Sequence, residues 1–163
     1  MSELPIACTP DALTPAWLTA ALRSSGHLSP AARVTGVAVE PVGTGQMCDA
    51  VRLGLRYEGD SDAPATLVAK LPAADPTSRA TAASLRSYEN EVRFYQQLAP
   101  QLPVRTPLAF YADIDPEAAD FVLLLEDLSP RRPGDQLAGC SPDTARIAVD
   151  ELVKLHAPRW ADP

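Results

Sequence analysis

Apolar and polar positions alternate cleanly along residues 50–57. Val51, Leu53, Leu55 and Tyr57 fall on one face and Arg52 and Arg56 on the other, the period of a half-buried strand. Residues 34–42 alternate in the same way and predict a preceding strand. Residues 66–71, Thr-Leu-Val-Ala-Lys-Leu, predict a following one that Pro72 ends. A polar turn at 58–62 joins the second strand to the third, and three strands with short links predict an antiparallel meander. Upstream, residues 1–14 read as an arm. Thr14-Pro15 opens a helix on which Trp17, Leu18, Ala21 and Leu22 recur at helical spacing, and Gly26 stops it. Downstream, residues 76–83 are small and polar and read as a connection. A helix is then predicted from about residue 83 to 99, closed by Pro100. At about 100° per residue, Leu85, Tyr88, Val92, Phe94, Tyr95 and Leu98 share one arc, with Glu91 inside it and Glu89 outside.

Residues 107–113 predict a fourth strand and 121–125 a fifth, apolar on both faces and therefore central. Residues 129–139, rich in Pro, Arg and Gly, read as a linker. Ser141-Pro142-Asp143 then caps a last helix, with apolar positions at Ala145, Ala148, Val149, Leu152 and Leu155 and a stop at Pro158. The order predicts an α+β fold: a five-stranded antiparallel sheet under one main covering helix, with a further helix at each end. Three segments follow from it: an N-terminal arm and helix over 1–32, a sheet-bearing lobe over 33–128, and a linker with a helix over 129–163.

Composition narrows the partners. Of 163 residues 46% are hydrophobic, which is globular, and the net charge of −7 argues against nucleic acid or an anionic membrane as the main partner. Cys8, Cys48 and Cys140 form neither a zinc spacing nor a disulfide framework, which fits a reducing cytoplasm. The first 25 residues lack a basic start followed by an apolar core, and no apolar run approaches the roughly 20 residues of a membrane span.

The candidate chemistry centres on Lys70, an ammonium near the end of an apolar strand. A strand end open to solvent would account for it, as a snorkelling side chain would for Glu91 and an ordinary hairpin for Gly43-Thr44-Gly45. In combination they say more. A glycine turn between two strands lets backbone N–H groups approach phosphates. A strand lysine supplies a point charge to phosphate oxygens, and a helix carboxylate holds that lysine in place. Gly43 and Gly45, Lys70 and Glu91 occur in that order on those kinds of element. The strand ending in Glu126-Asp127-Leu128 has backbone groups to offer an adenine edge, with Leu124 among the apolar walls.

Four pieces resemble the N-terminal lobe of the protein-kinase-like fold in its small-molecule branch, that of the aminoglycoside and choline phosphotransferases, and most closely its ecdysteroid-kinase-like (CHK-kinase-like) group. They are Val42-Gly43-Thr44-Gly45-Gln46-Met47 running into Val51-Arg52-Leu53; Leu67-Val68-Ala69-Lys70; residues 88–95, Tyr-Glu-Asn-Glu-Val-Arg-Phe-Tyr; and Leu123-Leu124-Leu125-Glu126-Asp127-Leu128. Leu155-His156-Ala157 with Trp160 resembles the helix end that follows the linker in that group. The resemblance implies that Gly43, Thr44, Gly45 and Gln46 cover the phosphates of ATP, that Lys70 contacts them, that Glu91 pairs with Lys70, and that Glu126 and Leu128 hold adenine through their backbones. It implies transfer of the γ-phosphoryl of ATP to a hydroxyl of a small molecule, with Mg²⁺.

The sequence departs from that pattern. The glycine turn lacks a third glycine. The His-Gly-Asp segment, the following Asn and the later metal-binding Asp of the family's second lobe do not occur: His156 precedes Ala157-Pro158 and His27 precedes Leu28. The chain is therefore expected to hold the nucleotide lobe, to end soon after the linker, and to show little activity alone. His156 reads as structural, on the inner side of a helix end. Asp60 and Asp62 read as a solvated hairpin, and Arg131 and Arg132 as a solvated linker. Two rivals stand beside this reading. One is a non-catalytic interaction or regulatory module that associates through the last helix and the 124–128 edge. The other is a plain ligand-binding domain in which Lys70 and Glu91 do not meet.

Overall fold

The computed structural model describes residues 4–43, 45, 47–131, 134, 135 and 137–160. Thr44, Gln46 and Arg132, named above, lie outside the described residues. Five strands form one antiparallel sheet: β1 (Arg33–Pro41), β2 (Cys48–Glu58), β3 (Thr66–Pro72), β4 (Ala109–Asp115) and β5 (Asp120–Glu126), in the spatial order β1-β2-β3-β5-β4. Among the described residues four α-helices accompany them: α1 (Pro15–Ser24), α2 (Pro76–Ser84), α3 (Ser87–Arg93) and α4 (Pro142–His156).

The alternation of β2 and β3 divides the core in two. Val51, Leu53, Leu55, Leu67, Ala69 and Leu71 point to one face and pack with Trp17, Leu18, Ala21 and Leu22 of α1. The opposite face is covered by Ala82, Tyr88 and Val92, which pack on Phe121, Leu123 and Leu125 of β5. β5 lies between β3 and β4 and contributes to both cores, so its apolar run has no polar phase.

The N-terminal segment is more than an arm. Ala7 and Leu13 are buried in the α1-side core, and Trp17 Nε1 donates to the carbonyl of Pro5 at 2.7 Å. Thr14 caps α1 as its sequence predicts, accepting the Trp17 N–H at 3.2 Å. Within α1, Thr19 is a buried polar side chain. Its hydroxyl donates to Pro15 O at 2.7 Å and accepts the Val34 N–H at 2.9 Å, which ties the helix to β1.

The covering helix differs from the continuous one expected. The segment 76–83 is helical: Asp75 caps α2 by accepting the Ser78 N–H at 2.7 Å, and Pro76 occupies its first turn. Leu85 ends α2 and is exposed, and Arg86, at φ 51°, turns the chain into α3. Residues Phe94–Leu98 then continue as a π turn in which the Ala99 N–H reaches Phe94 O. The wider turn rotates the following side chains, so Leu98 is exposed although a uniform helical phase placed it inward. At the C-terminal end, Ser141 caps α4 through the Thr144 N–H at 3.2 Å, yet none of α4's side chains is buried. His156 is exposed rather than on an inner side, as α4 buries none of its side chains.

Thr19→Val keeps the shape of the side chain and removes the acceptor for a buried N–H. It is expected to cost about 1–3 kcal/mol in urea unfolding. A stability equal to that of the unaltered protein would remove Thr19's role in docking α1.

Candidate functional site

On β3 the residues Leu67, Ala69 and Leu71 are committed to the α1-side core, which sends Val68 and Lys70 to the other face. Lys70 stands opposite Ala50 on β2 and Leu123 on β5. The small Ala50 leaves room beside it. Lys70 Nζ donates to Glu91 Oε1 of α3, and the two side chains are 25% and 31% exposed. Lys70 is thus not a solvent-directed strand end, and the reading in which it does not meet Glu91 is overturned. An ammonium has three donors, so a contact with one carboxylate oxygen leaves it capacity for a second anion.

Two side chains fix this arrangement from the α3 side. Tyr88 stacks on Phe121 with ring centroids 4.5 Å apart. Its hydroxyl donates to Met47 O at 2.6 Å and accepts the Ala73 N–H at 3.1 Å. One phenol therefore joins α3 to the exit of the glycine turn and to the end of β3. The helical pattern had marked Tyr88 only as core. Glu89, off the apolar arc, accepts from Arg86 Nε at 2.9 Å and from Arg93 Nε at 2.7 Å. These bonds, Arg86's first, hold its carboxyl at about 2.

Gly43 closes β1 at φ 79°, a left-handed conformation suited to glycine, and an added Cβ there would meet nothing within 4 Å. A Cβ on Gly45 would lie 3.4 Å from Cys48 O. The turn opens at Lys70's end of the sheet, since Cys48 pairs with Pro72 and Ala50 with Lys70. Cys48 has its thiol pushed up by burial, an effect that Lys70 opposes. Burial, and secondarily the Glu91 carboxylate, raise the Tyr95 phenol.

The far end of the face is built by the strand end after β5. The Glu126 N–H donates to Leu108 O at 2.8 Å, and its carboxylate accepts the Leu108 N–H at 3.2 Å. The carbonyl of Leu128 accepts the Arg131 N–H at 2.9 Å. Asp127, whose side chain is 6% exposed, accepts the Ser129 N–H at 3.0 Å and Arg52 Nε at 2.9 Å. Burial opposes its charge. Bonds from Ser129, Arg52 and Thr66 outweigh that, and its pKa is lowered.

Leu124 needs correction as a wall of this site. It is fully buried on the α1 side, because strand alternation sends Leu123 and Leu125 to the face of Lys70. Leu125 was the alternating choice, and the β5 run, apolar throughout, does not show its phase. Asp60 and Asp62 are exposed, as is Arg131. Among the described residues no group of three or more His, Cys, Asp or Glu stands together in a way that could hold a metal ion.

An open five-stranded sheet, with a lysine on its third strand tied to a glutamate on the covering helix, defines a kinase-like N-lobe. The family model of the ecdysteroid kinase-like family matches residues 44–160, and the chain belongs to that family, which has a kinase-like phosphotransferase fold. Among curated proteins none matches the chain. No helix among the described residues is long and apolar enough to cross a membrane.

The Glu89 brace makes α3 acid-sensitive. Its folded value of about 2 lies below the ordinary 4.5, so its contribution to stability is full above the ordinary value and is lost as pH falls through about 2. Carboxyl NMR should give a midpoint near 2, moving toward about 4.3 in the Arg86→Ala, Arg93→Ala double variant. A midpoint near 4 in the unaltered protein would remove the brace.

Proposed function

We propose that the chain is the ATP-binding lobe of a phosphotransferase whose acceptor is a hydroxyl of a small molecule. The observation that carries this reading is the Lys70–Glu91 pair at the end of the sheet where Gly43 leaves the left-handed turn open to a close approach. In this reading Gly43, Thr44, Gly45 and Gln46 cover the phosphates, Lys70 binds them, and Glu91 keeps the ammonium directed at them. Glu126 and Leu128 present backbone groups to the base. ATP supplies the phosphoryl group. Its protein contacts here are orientation and charge stabilisation, the main needs of phosphoryl transfer.

The sheet-bearing lobe spans 33–128 in this proposal. An N-terminal segment with α1 over 1–32 precedes it, and a linker with α4 over 129–163 follows it. The sequence contains no His-Gly-Asp. The 163-residue chain alone is accordingly expected to turn over little or no ATP onto an acceptor. A cytoplasmic site, where ATP is abundant and the free cysteines stay reduced, suits the same reading.

A second reading has its own observation. On α4, Val149 and Leu152 share one face and are 56% and 49% exposed, and Trp160 beyond it is 82% exposed. Such a face suits a non-catalytic module that associates with a partner or with itself.

Titration calorimetry with ATP separates the two readings. Saturable binding, weakened about tenfold to a hundredfold in Lys70→Met, is expected for loss of a charge-assisted contact. Circular dichroism should show the same fold for both proteins. Absence of ATP binding together with concentration-dependent dimerisation would instead favour the association module.

A further inference from the structure

One face of the sheet carries a cation besides Lys70. Glu40 of β1 pairs with Arg52 of β2, Arg52 pairs with Val68 of β3, and Val68 pairs with Leu125 of β5. Paired residues in antiparallel strands project to the same side, so this row lies on the Lys70 face. It sits two residues along β3 from Lys70, about 7 Å toward the end of β5. In the nucleotide reading Lys70 and the glycine turn take the phosphates and the end of β5 takes the base. The row is thus one ribose removed from the phosphates, over the base.

Arg52 does not extend outward from this row. Its Nε reaches Asp127 at 2.9 Å, beyond the intervening strand β3, and its Nη1 lies 3.6 Å from Glu40 Oε2. Two strand spacings are about 10 Å, so the side chain lies across the sheet rather than projecting from it. The hydrogen bond to Asp127 engages an edge of the guanidinium. Edge contacts fix the orientation of a planar cation and leave its flat face available for stacking. A nucleobase offers a π face to such a cation.

We infer that Arg52 forms the ceiling of the base pocket and stacks on the nucleobase through its guanidinium face, with Asp127 as the positioning residue that holds the plane. This inference rests on the nucleotide-site reading above and goes beyond it. It makes Arg52 a determinant of base affinity and gives the buried Asp127 carboxylate a purpose besides the Ser129 turn.

The test uses two probes on the 163-residue chain: ATP, which carries a base, and inorganic tripolyphosphate, which does not. Arg52→Lys keeps the charge and loses the plane. It should weaken ATP binding about threefold to thirtyfold, the range of a cation–π contact, and leave tripolyphosphate affinity unchanged. Asp127→Asn leaves the guanidinium in place but loosens it, and should show the same selectivity with a smaller loss. It carries the test should Arg52→Lys fail to fold by circular dichroism. ATP affinity within twofold of the unaltered protein in the folded variants would overturn the stacking role. Equal losses for both probes would make Arg52 a phosphate contact and overturn it too. Tripolyphosphate and ATP both failing to bind the unaltered chain would remove the nucleotide site itself, an outcome distinct from either.

Discussion

An ammonium on an otherwise apolar strand requires an anion, and the position of α3 follows from that requirement. Three residues of β3 are buried under α1, so its register cannot shift by one without driving Lys70 into an apolar core, where an unpaired charge costs several kcal/mol. With the strand phase fixed, Glu91 must approach from the opposite face. That the pair stays about a quarter to a third exposed keeps its own stabilisation modest. Its importance is geometric: it couples a strand, a helix and the mouth of a glycine turn at one point.

The surrounding contacts make that coupling rigid without adding charge to the site. Tyr88 anchors α3 to β5 by its ring, and to the exit of the glycine turn and the end of β3 by its hydroxyl. Arg86, in the left-handed region, gives α3 a direction different from that of α2. The π turn after Arg93 then lets the chain leave the helix without carrying its apolar phase further. On the other face, the N-terminal segment and α1 bury the backs of β2 and β3, so the face bearing Lys70 rests on a packed core rather than on solvent.

Much of this was legible in the residues. Period-two alternation located β1 and β2, apolar or β-prone runs ended by proline or turn residues located the other three strands, and the phase of Glu91 against Tyr88 and Val92 placed it toward the sheet. The proline-led caps at Thr14 and Ser141 marked two helix starts within a residue. What escaped reading depended on distant contacts. Small residues hid α2, whose signal was the Asp75-Pro76 start rather than an apolar stripe. Leu98 was misphased because a π turn has no compositional mark. Leu124 and Leu125 could not be told apart in a strand that is apolar on both faces. Ala7 and Leu13 looked like parts of a loose arm because their burial comes from Trp17 and the sheet, not from local periodicity. The phosphate-side candidates were readable because chemistry restricted their residue types. The Arg52–Asp127 contact was not, since it joins residues 75 apart in sequence.

The proposed binding of a polyanion by a chain of net charge −7 would be a contradiction if binding depended on overall charge. The local arrangement removes it. Lys70 and Arg52, two cations on the functional face, are each held by carboxylates: Glu91 for the first, Asp127 and Glu40 for the second. Such pairs present little net field at a distance, so they do little to attract nucleic acid or anionic membranes. At contact they still offer directed donors and a flat cationic surface, already oriented before any ligand arrives. In the proposed nucleotide reading, selectivity for a small anion over a large one would follow from the same carboxylates that hold the cations in place.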